Sequence, residues 1–241
     1  MSNINFFRVM AKGNGNTTET FTIKTLYTGT ITIGSVAQKS PFIKFATTWT
    51  TTGGLVSSGS NAEGDDFVVD LTGSTGLTTI LVTVHRQSNQ VFDYFFWSGG
   101  GGATLFELID FKANTDLEEI QIPGCRGRGI DVSSLSKLTL FNAYNNLFTT
   151  LDVSNNTLLE YLNFGYSSTL TSFDIGYNTA LTTVLAQANY LSASGNDDIY
   201  IDLDSNGLYY GTLTIQSSNG RTSASDSARA NLISKGWTIA Y

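Results

Sequence analysis

The stretch TTLDVSNNTLLEYLNFGYSSTLTSFDIGYNTALTTVLAQANYL, residues 149–191, decides the fold predicted for this chain. It holds two copies of the pattern L-x-x-L-x-L-x-x-N-x-L, in which several positions are degenerate. Two more copies come before it, so that the four begin at Leu117, Leu138, Leu159 and Leu181, in steps of 21, 21 and 22 residues. A repeat of this period is typical of a solenoid, in which each repeat forms one coil.

A second ladder of the same period lies between these copies. Its members occur in the settings IDF, IDV, LDV and FDI, and they are Asp110, Asp131, Asp152 and Asp174. Residues that recur once per coil usually serve the coil. We therefore expect each carboxylate to bind backbone amides at a turn and not to act in catalysis.

The L-x-L part of each copy alternates apolar residues, which predicts a short strand with one buried face. The position after the strand holds small residues that are polar or polarizable: Cys125, Asn146, Ser167 and Asn189. An asparagine amide there can bind backbone groups of the neighbouring coils that would otherwise have no partner.

These motifs resemble the leucine-rich repeat family, in the short form rich in Asn and Thr that occurs in proteins of Bacteroidetes and their phages. The resemblance covers roughly residues 105–195, and the last two copies are closer to the family pattern than the first two. The tail from GTLTI to GWTIAY resembles the terminal cap of such proteins. The resemblance implies a repeat solenoid with a cap, and it indicates a structural protein of a bacteriophage virion.

The predicted fold is mainly β, with three parts. Alternating apolar and polar residues with Gly and Ser between them predict a β-sandwich over residues 1–98. The glycines of 99–104 predict a joint, and 105–241 predict the leucine-rich-repeat domain with its cap from about residue 196. Within the cap we expect strands over 199–220, one helix in SASDSARANLISKGW and a final strand in WTIAY. Ser225 or a nearby serine is expected to cap this helix, and Gly236 to end it. Its expected apolar stripe consists of Ala228, Leu232 and Ile233.

Composition and charge exclude several classes of function. The formal net charge of -7 argues against binding to nucleic acid, because phosphate contacts need clustered Lys and Arg. No apolar run is long enough to span a membrane or to act as a signal peptide. A protein made in a host cytoplasm and carried in a virion fits this pattern. The alternative is an extracellular or cell-surface location with the leader removed.

The candidates for chemistry are few, and we expect no enzyme. His85 is the only histidine, and no motif of a nucleophilic enzyme occurs. Asp202, Asp204 and Asn206 match the first half of a calcium loop, although Leu213 takes the place of the carboxylate expected at its end. Calcium is the one cofactor considered, held there with water or with Asp197 and Asp198. An ordinary turn rich in Asp and Asn is the alternative.

The candidate binding surface is the outward side of the repeat strands. Its predicted members are Glu119, Gln121, Leu140, Asn142, Tyr144, Tyr161, Asn163, Thr183, Leu185 and Gln187. Such a mixed polar and aromatic surface suits contact with protein or glycan, and a plain solvated surface is the alternative.

The predicted function is that of a non-enzymatic virion protein, a head or tail decoration or a fibre component. The N-terminal part would dock on the particle, and the repeats would face a host surface protein or glycan, or a neighbouring subunit. We expect other virion proteins as partners and a homo-oligomer, because virion parts are usually symmetric. A secreted or surface-bound bacterial adhesion module is the second hypothesis, and an enzyme acting on carbohydrate is the third.

Overall fold

The computed structural model describes residues 6–7, 17–25, 30–33, 36–38, 43–44, 46–52, 58–61, 67–70, 77–86, 94–98, 106–167, 169–216 and 219–241. Within these residues the chain consists mostly of strands in two sheets, with two short helices, as the prediction of a mainly β protein requires. Neither helix combines the length and the apolar content that crossing a bilayer demands.

The strands of the described part are β1 (Phe6–Phe7), β2 (Thr17–Thr25), β3 (Thr30–Ile33), β4 (Val36–Gln38), β5 (Ile43–Lys44), β6 (Ala46–Thr52), β7 (Ser58–Asn61), β8 (Phe67–Asp70), β9 (Thr78–Arg86), β10 (Tyr94–Ser98), β11 (Leu108–Asp110), β12 (Glu119–Gln121), β13 (Ile130–Asp131), β14 (Leu140–Asn142), β15 (Tyr161–Asn163), β16 (Thr183–Leu185), β17 (Thr212–Thr214) and β18 (Thr238–Ala240). The helices are α1 (Ala193–Ser205) and α2 (Asp226–Ser234), and a 3₁₀ turn spans Ser223–Ser225.

The larger sheet contains a parallel ladder in the order β10, β12, β14, β15, β16, β17 and β18. We call the segment from one strand of this ladder to the next a coil. One residue of each strand points into the core or packs against it, and these residues are paired across the ladder: Phe95, Ile120, Phe141, Leu162, Val184, Leu213 and Ile239. This row holds the coils in register because a shift of one residue would turn every apolar side chain outward.

The leucines that start the four sequence copies occupy the same place in successive coils, and all four are buried. The residues that follow them bind the coil before: Thr139 N donates to Glu118 O at 2.8 Å, Glu160 N to Thr139 O at 2.8 Å and Thr182 N to Glu160 O at 3.0 Å. The period of the sequence is therefore a period of backbone hydrogen bonds in space.

The smaller main sheet has the order β13, β11, β2, β9, β6 and β7, and β3 pairs with β8 separately. Its strand β11 pairs antiparallel with β2 and parallel with β13, so it joins the N-terminal strands to the coils. Ile23, Ile80 and Val82 belong to one buried cluster with the apolar residues of the coils. The predicted joint at 99–104 lies outside the described residues.

The expectation of strands throughout 199–220 is wrong, because the first part of that segment belongs to α1. The run IYIDLD alternates as a strand would, but burial follows the helical spacing: Ile199, Tyr200 and Leu203 are buried, whereas Ile201 is 42% exposed. Ser192 caps the helix by accepting a hydrogen bond from Gly195 N at 3.0 Å. Among the described residues of this segment, β17 alone is a strand, as predicted for GTLTI.

The predicted C-terminal helix and final strand are confirmed as α2 and β18, with two corrections. Ser225 makes no side-chain cap to the helix, and Thr222 instead caps the 3₁₀ turn before it. Ala228 and Leu232 are buried as expected, but Ile233 is 48% exposed. Gly236 ends the helical segment at φ +84, a backbone conformation that glycine adopts without strain.

The helices lie inside coils. Thr183 of β16 pairs with Thr212 of β17, and α1 occupies the chain between them; Thr212 pairs with Thr238 of β18, and α2 occupies that interval. The last coils are therefore longer than the 21-residue repeat because their return segments are helical.

Candidate functional site

A ladder of side-chain amides inside the coils positions the outward surface. Asn146 accepts a hydrogen bond from Gly127 N at 2.8 Å and donates to Ile122 O at 2.9 Å and Ala143 O at 2.8 Å. Asn189 likewise accepts from Ser167 N at 2.9 Å and donates to Ala186 O at 2.9 Å. Their predicted role, binding backbone groups of their own and neighbouring coils, is confirmed.

A second ladder of buried asparagines on the other side of the coils was not predicted. Asn156 donates to Val132 O at 3.0 Å and Leu135 O at 2.8 Å, both in the previous coil. Asn178 repeats this by donating to Val153 O at 2.8 Å and Asn156 O at 2.9 Å. The recurrence of Asn-Thr at 156–157 and 178–179, one repeat apart, is the sequence signal that could have revealed it.

The aspartate ladder serves the turns, as expected. Each carboxylate accepts a backbone N–H two residues ahead, with distances of 2.9 Å from Lys112 to Asp110, 3.1 Å from Ser133 to Asp131, 2.9 Å from Ser154 to Asp152 and 2.9 Å from Gly176 to Asp174. The Ser154 hydroxyl also binds Asp152, and this bond chiefly lowers the pKa of that carboxyl. The bond from Ser154 therefore stabilises the charged form of Asp152.

The outward surface consists of the side chains that flank the buried middle residue of each parallel strand. Pairing of the strands places two rows side by side: Tyr94, Glu119, Leu140, Tyr161, Thr183, Thr212 and Thr238 in the first, and Phe96, Gln121, Asn142, Asn163, Leu185, Thr214 and Ala240 in the second. We call these rows the ladder face, and we include in it the residues that follow the second row by two positions, such as Tyr144 and Gln187. All ten predicted surface residues lie in it.

Two features of the ladder face differ from expectation. Asn163 is only 7% exposed, and its Oδ1 accepts Gly165 N at 3.1 Å, so it supports the face without being presented on it. The face also extends beyond the four predicted strands, to β10 on one side and to β17 and β18 on the other. Tyr94 and Phe96 are accordingly members that the repeat pattern did not identify.

The ladder face carries little charge. Glu119 is the only ionisable acidic or basic residue in its two rows, and its Oε1 accepts Gln121 Nε2 at 2.5 Å. Partial burial and the nearby Glu119 carboxylate raise the pKa of Tyr94 to about 12, so its phenol stays neutral and can donate a hydrogen bond. The face therefore offers aromatic rings, amides and hydroxyls.

A groove of about 640 Å³ lies on the opposite side, between the aspartate turns and α1. Asp152, Asp174, Asp198 and Asp202 line it together with hydroxyls of serine and threonine. Burial raises the pKa of Asp202, and the carboxylates of Asp174 and Asp198 raise it further. A Cβ added to Gly176 would lie 3.4 Å from Oδ1 of Asp174 and 3.4 Å from Oδ1 of Asp202. The distance between these two carboxylate oxygens is therefore at most twice that value.

The structure does not bring the three predicted calcium ligands together. Asp202 lines the groove, whereas Asp204 binds Lys235 Nζ at 2.6 Å, and Asn206 donates to Asn178 O at 3.3 Å. The segment is the end of a helix where a loop was expected. In the described part of the chain no cluster of three or more His, Cys, Asp or Glu side chains is arranged to hold a metal ion.

The neighbouring aspartates 197 and 198 also have different roles. Asp198 lines the groove, whereas Asp197 is buried and binds the segment before α2. The Asp197 carboxylate accepts Thr222 N at 3.0 Å and the hydroxyls of Thr222 and Ser225, each at 2.5 Å. Asp197 therefore holds the two helical coils together.

Comparison of the chain with protein-family models, with curated proteins and with solved structures found no match.

Proposed function

We propose that the chain is a short leucine-rich-repeat solenoid joined to an N-terminal β-sandwich, and that it is a non-enzymatic recognition and assembly protein of a phage particle. One observation carries the recognition role: seven parallel strands present their outward side chains in register as a single ladder face.

The size of the ladder face fits a small or repeated contact. Six steps of about 4.8 Å between strands give a length of about 29 Å, and three outward rows cover about 13 Å along the strands. The resulting area of about 380 Å² is half of the roughly 800 Å² that each partner buries in a stable protein interface. Several copies acting together would supply the missing affinity, as in a symmetric homo-oligomer on a particle.

The phage setting rests on the resemblance of the repeats to those of Bacteroidetes and their phages. In this proposal the N-terminal strands dock on other virion proteins, and the ladder face contacts a host surface protein or glycan. The alternative is an adhesion module at the surface of a bacterium, which would use the same face.

Immunogold electron microscopy with an antibody against the purified chain tests the setting. Gold on phage particles, lost from particles assembled without the gene, is the expected result. Gold on the bacterial envelope and none on particles would overturn the virion role and favour the adhesion module. Light scattering of the purified chain tests the accompanying expectation of a homo-oligomer.

A further inference from the structure

Tyr144 of the ladder face and Tyr166, which lies just beyond the face, form an aromatic pair. Tyr144 and Tyr166 lie in successive coils, with ring centroids 5.2 Å apart and ring planes inclined at 55°. Tyr166 is 49% exposed and Tyr144 is half-buried. The inclination leaves aromatic surface open to solvent instead of covering it by flat stacking.

Tyr166 is held in a strained backbone conformation. Its φ is +60, and the corresponding residues of the other coils, Gly124, Asn145 and Ala188, also have positive φ. Glycine and asparagine tolerate this region, whereas a bulky aromatic residue seldom occurs there. The coil needs only the backbone at this point: Tyr166 N donates to Gln187 O at 2.7 Å, and Asn145 N donates to Gly165 O at 2.8 Å in the same way.

The Tyr166 ring therefore has no part in closing the coil, although it occupies a position where it costs stability. Strained residues that persist on a surface often serve a ligand. A ligand served by this ring would also meet the residues next to it.

Each tyrosine of the pair has a neighbour with an amide side chain. Gly165 has no side chain, and the Gln187 amide lies across it: a Cβ there would be 2.8 Å from Gln187 Cδ. Asn145, which directly follows Tyr144 in the chain, is exposed. No acidic or basic residue occurs among Tyr144, Asn145, Gly165, Tyr166 and Gln187.

The geometry points to a binding subsite for a neutral hexopyranose unit of a glycan at this pair. A pyranose ring presents apolar C–H groups on its face, which pack on an aromatic ring, and hydroxyls at its edge, which bind amides. An uncharged surface of about half a protein interface suits such a ligand better than a charged polymer or a folded protein. This inference rests on the proposed role of the ladder face in recognition.

Affinity electrophoresis of the full chain tests the subsite, with dextran, mannan or a soluble glycol chitin cast in the gel. We expect retardation by at least one of these polymers. Tyr166→Gly removes the ring and relieves the positive φ, so it should fold at least as stably while its affinity falls at least tenfold. Tyr177→Ala is the matched control, because Tyr177 is a 63% exposed tyrosine in an aspartate turn, and it should bind as the parent does.

The subsite is refuted if none of the three polymers retards the parent chain, or if Tyr166→Gly keeps an affinity within twofold of it. Equal loss in Tyr177→Ala would also overturn the assignment. Failure on these polymers together with gold on particles would remove the subsite and leave the virion role. Binding that depends on Tyr166, without gold on particles, would keep the subsite and overturn the virion role.

Discussion

Replacing Asn146 with alanine removes a fully buried amide that binds backbone groups in two coils. The substitution deletes the hydrogen bonds to Gly127 N, Ile122 O and Ala143 O, at 2.8, 2.9 and 2.8 Å. A buried neutral hydrogen bond contributes about 1 kcal/mol, and a buried donor left without a partner costs about 1–3 kcal/mol. We therefore expect the free energy of unfolding to fall by about 3–4 kcal/mol, a large part of the about 5–15 kcal/mol typical of a native protein.

Urea unfolding followed by circular dichroism at 25 °C measures this loss. Asn155→Ala is the control, because Asn155 is an exposed asparagine in the next turn, and it should change the free energy of unfolding by less than about 0.5 kcal/mol. A loss below about 1 kcal/mol in Asn146→Ala, or one equal to that of the control, would show that the amide ladder does not hold the coils together.

Ala188→Gly should raise the free energy of unfolding by about 0.5–1 kcal/mol in the same assay, because Ala188 has φ +55; a destabilised variant would contradict the strain assigned to this position. Gly127→Ala should lower it by about 3 kcal/mol or prevent folding, since the new Cβ would lie 1.9 Å from the buried Phe106 ring, and unchanged unfolding would mean that the ring moves away freely. Asp202→Asn should raise the melting temperature at pH 7 but not at pH 3. The pKa of Asp202 in the folded protein is raised above 3.8, so ionising this carboxyl lowers the free energy of unfolding as pH rises through the folded-state pKa. Below the pKa of the unfolded state the carboxyl is protonated in both states, and the effect is absent. An equal effect at both pH values would show that charge is not the cause.

The repeat period was sufficient to predict the elements whose residues recur. It located the strands β12, β14, β15 and β16, the aspartate turns and the amide ladder, because each uses the same residues at the same step. The ladder face follows from these strands, since alternate residues of a strand share a side. Asn163 shows the limit: the pattern places it outward, yet it is only 7% exposed, and its Oδ1 accepts a hydrogen bond from Gly165 N.

The parts that escaped prediction depart from the period. Tyr94 pairs with Glu119, which lies 25 residues later instead of 21, so the repeat pattern did not include the strand β10. The segment of α1 alternates as a strand does over IYIDLD, and short apolar runs do not distinguish the two structures. Its helical burial arises from packing on the core. The strand pattern did not identify Tyr166 as a surface residue, because Tyr166 lies in the turn after the strand.

The hydrogen bonds that link Glu118, Thr139 and Glu160 have a consequence for how the gene can change. In each coil the same backbone position donates its N–H to the coil before and accepts a hydrogen bond at its carbonyl from the coil after. A duplicated 21-residue segment would therefore find matching hydrogen-bond partners on both sides. Unequal recombination within the repeats could thus add or remove whole units without rebuilding the ends. Every added unit would widen the exposed sheet by about 4.8 Å, and a lineage could adjust its reach toward a target in steps of that size.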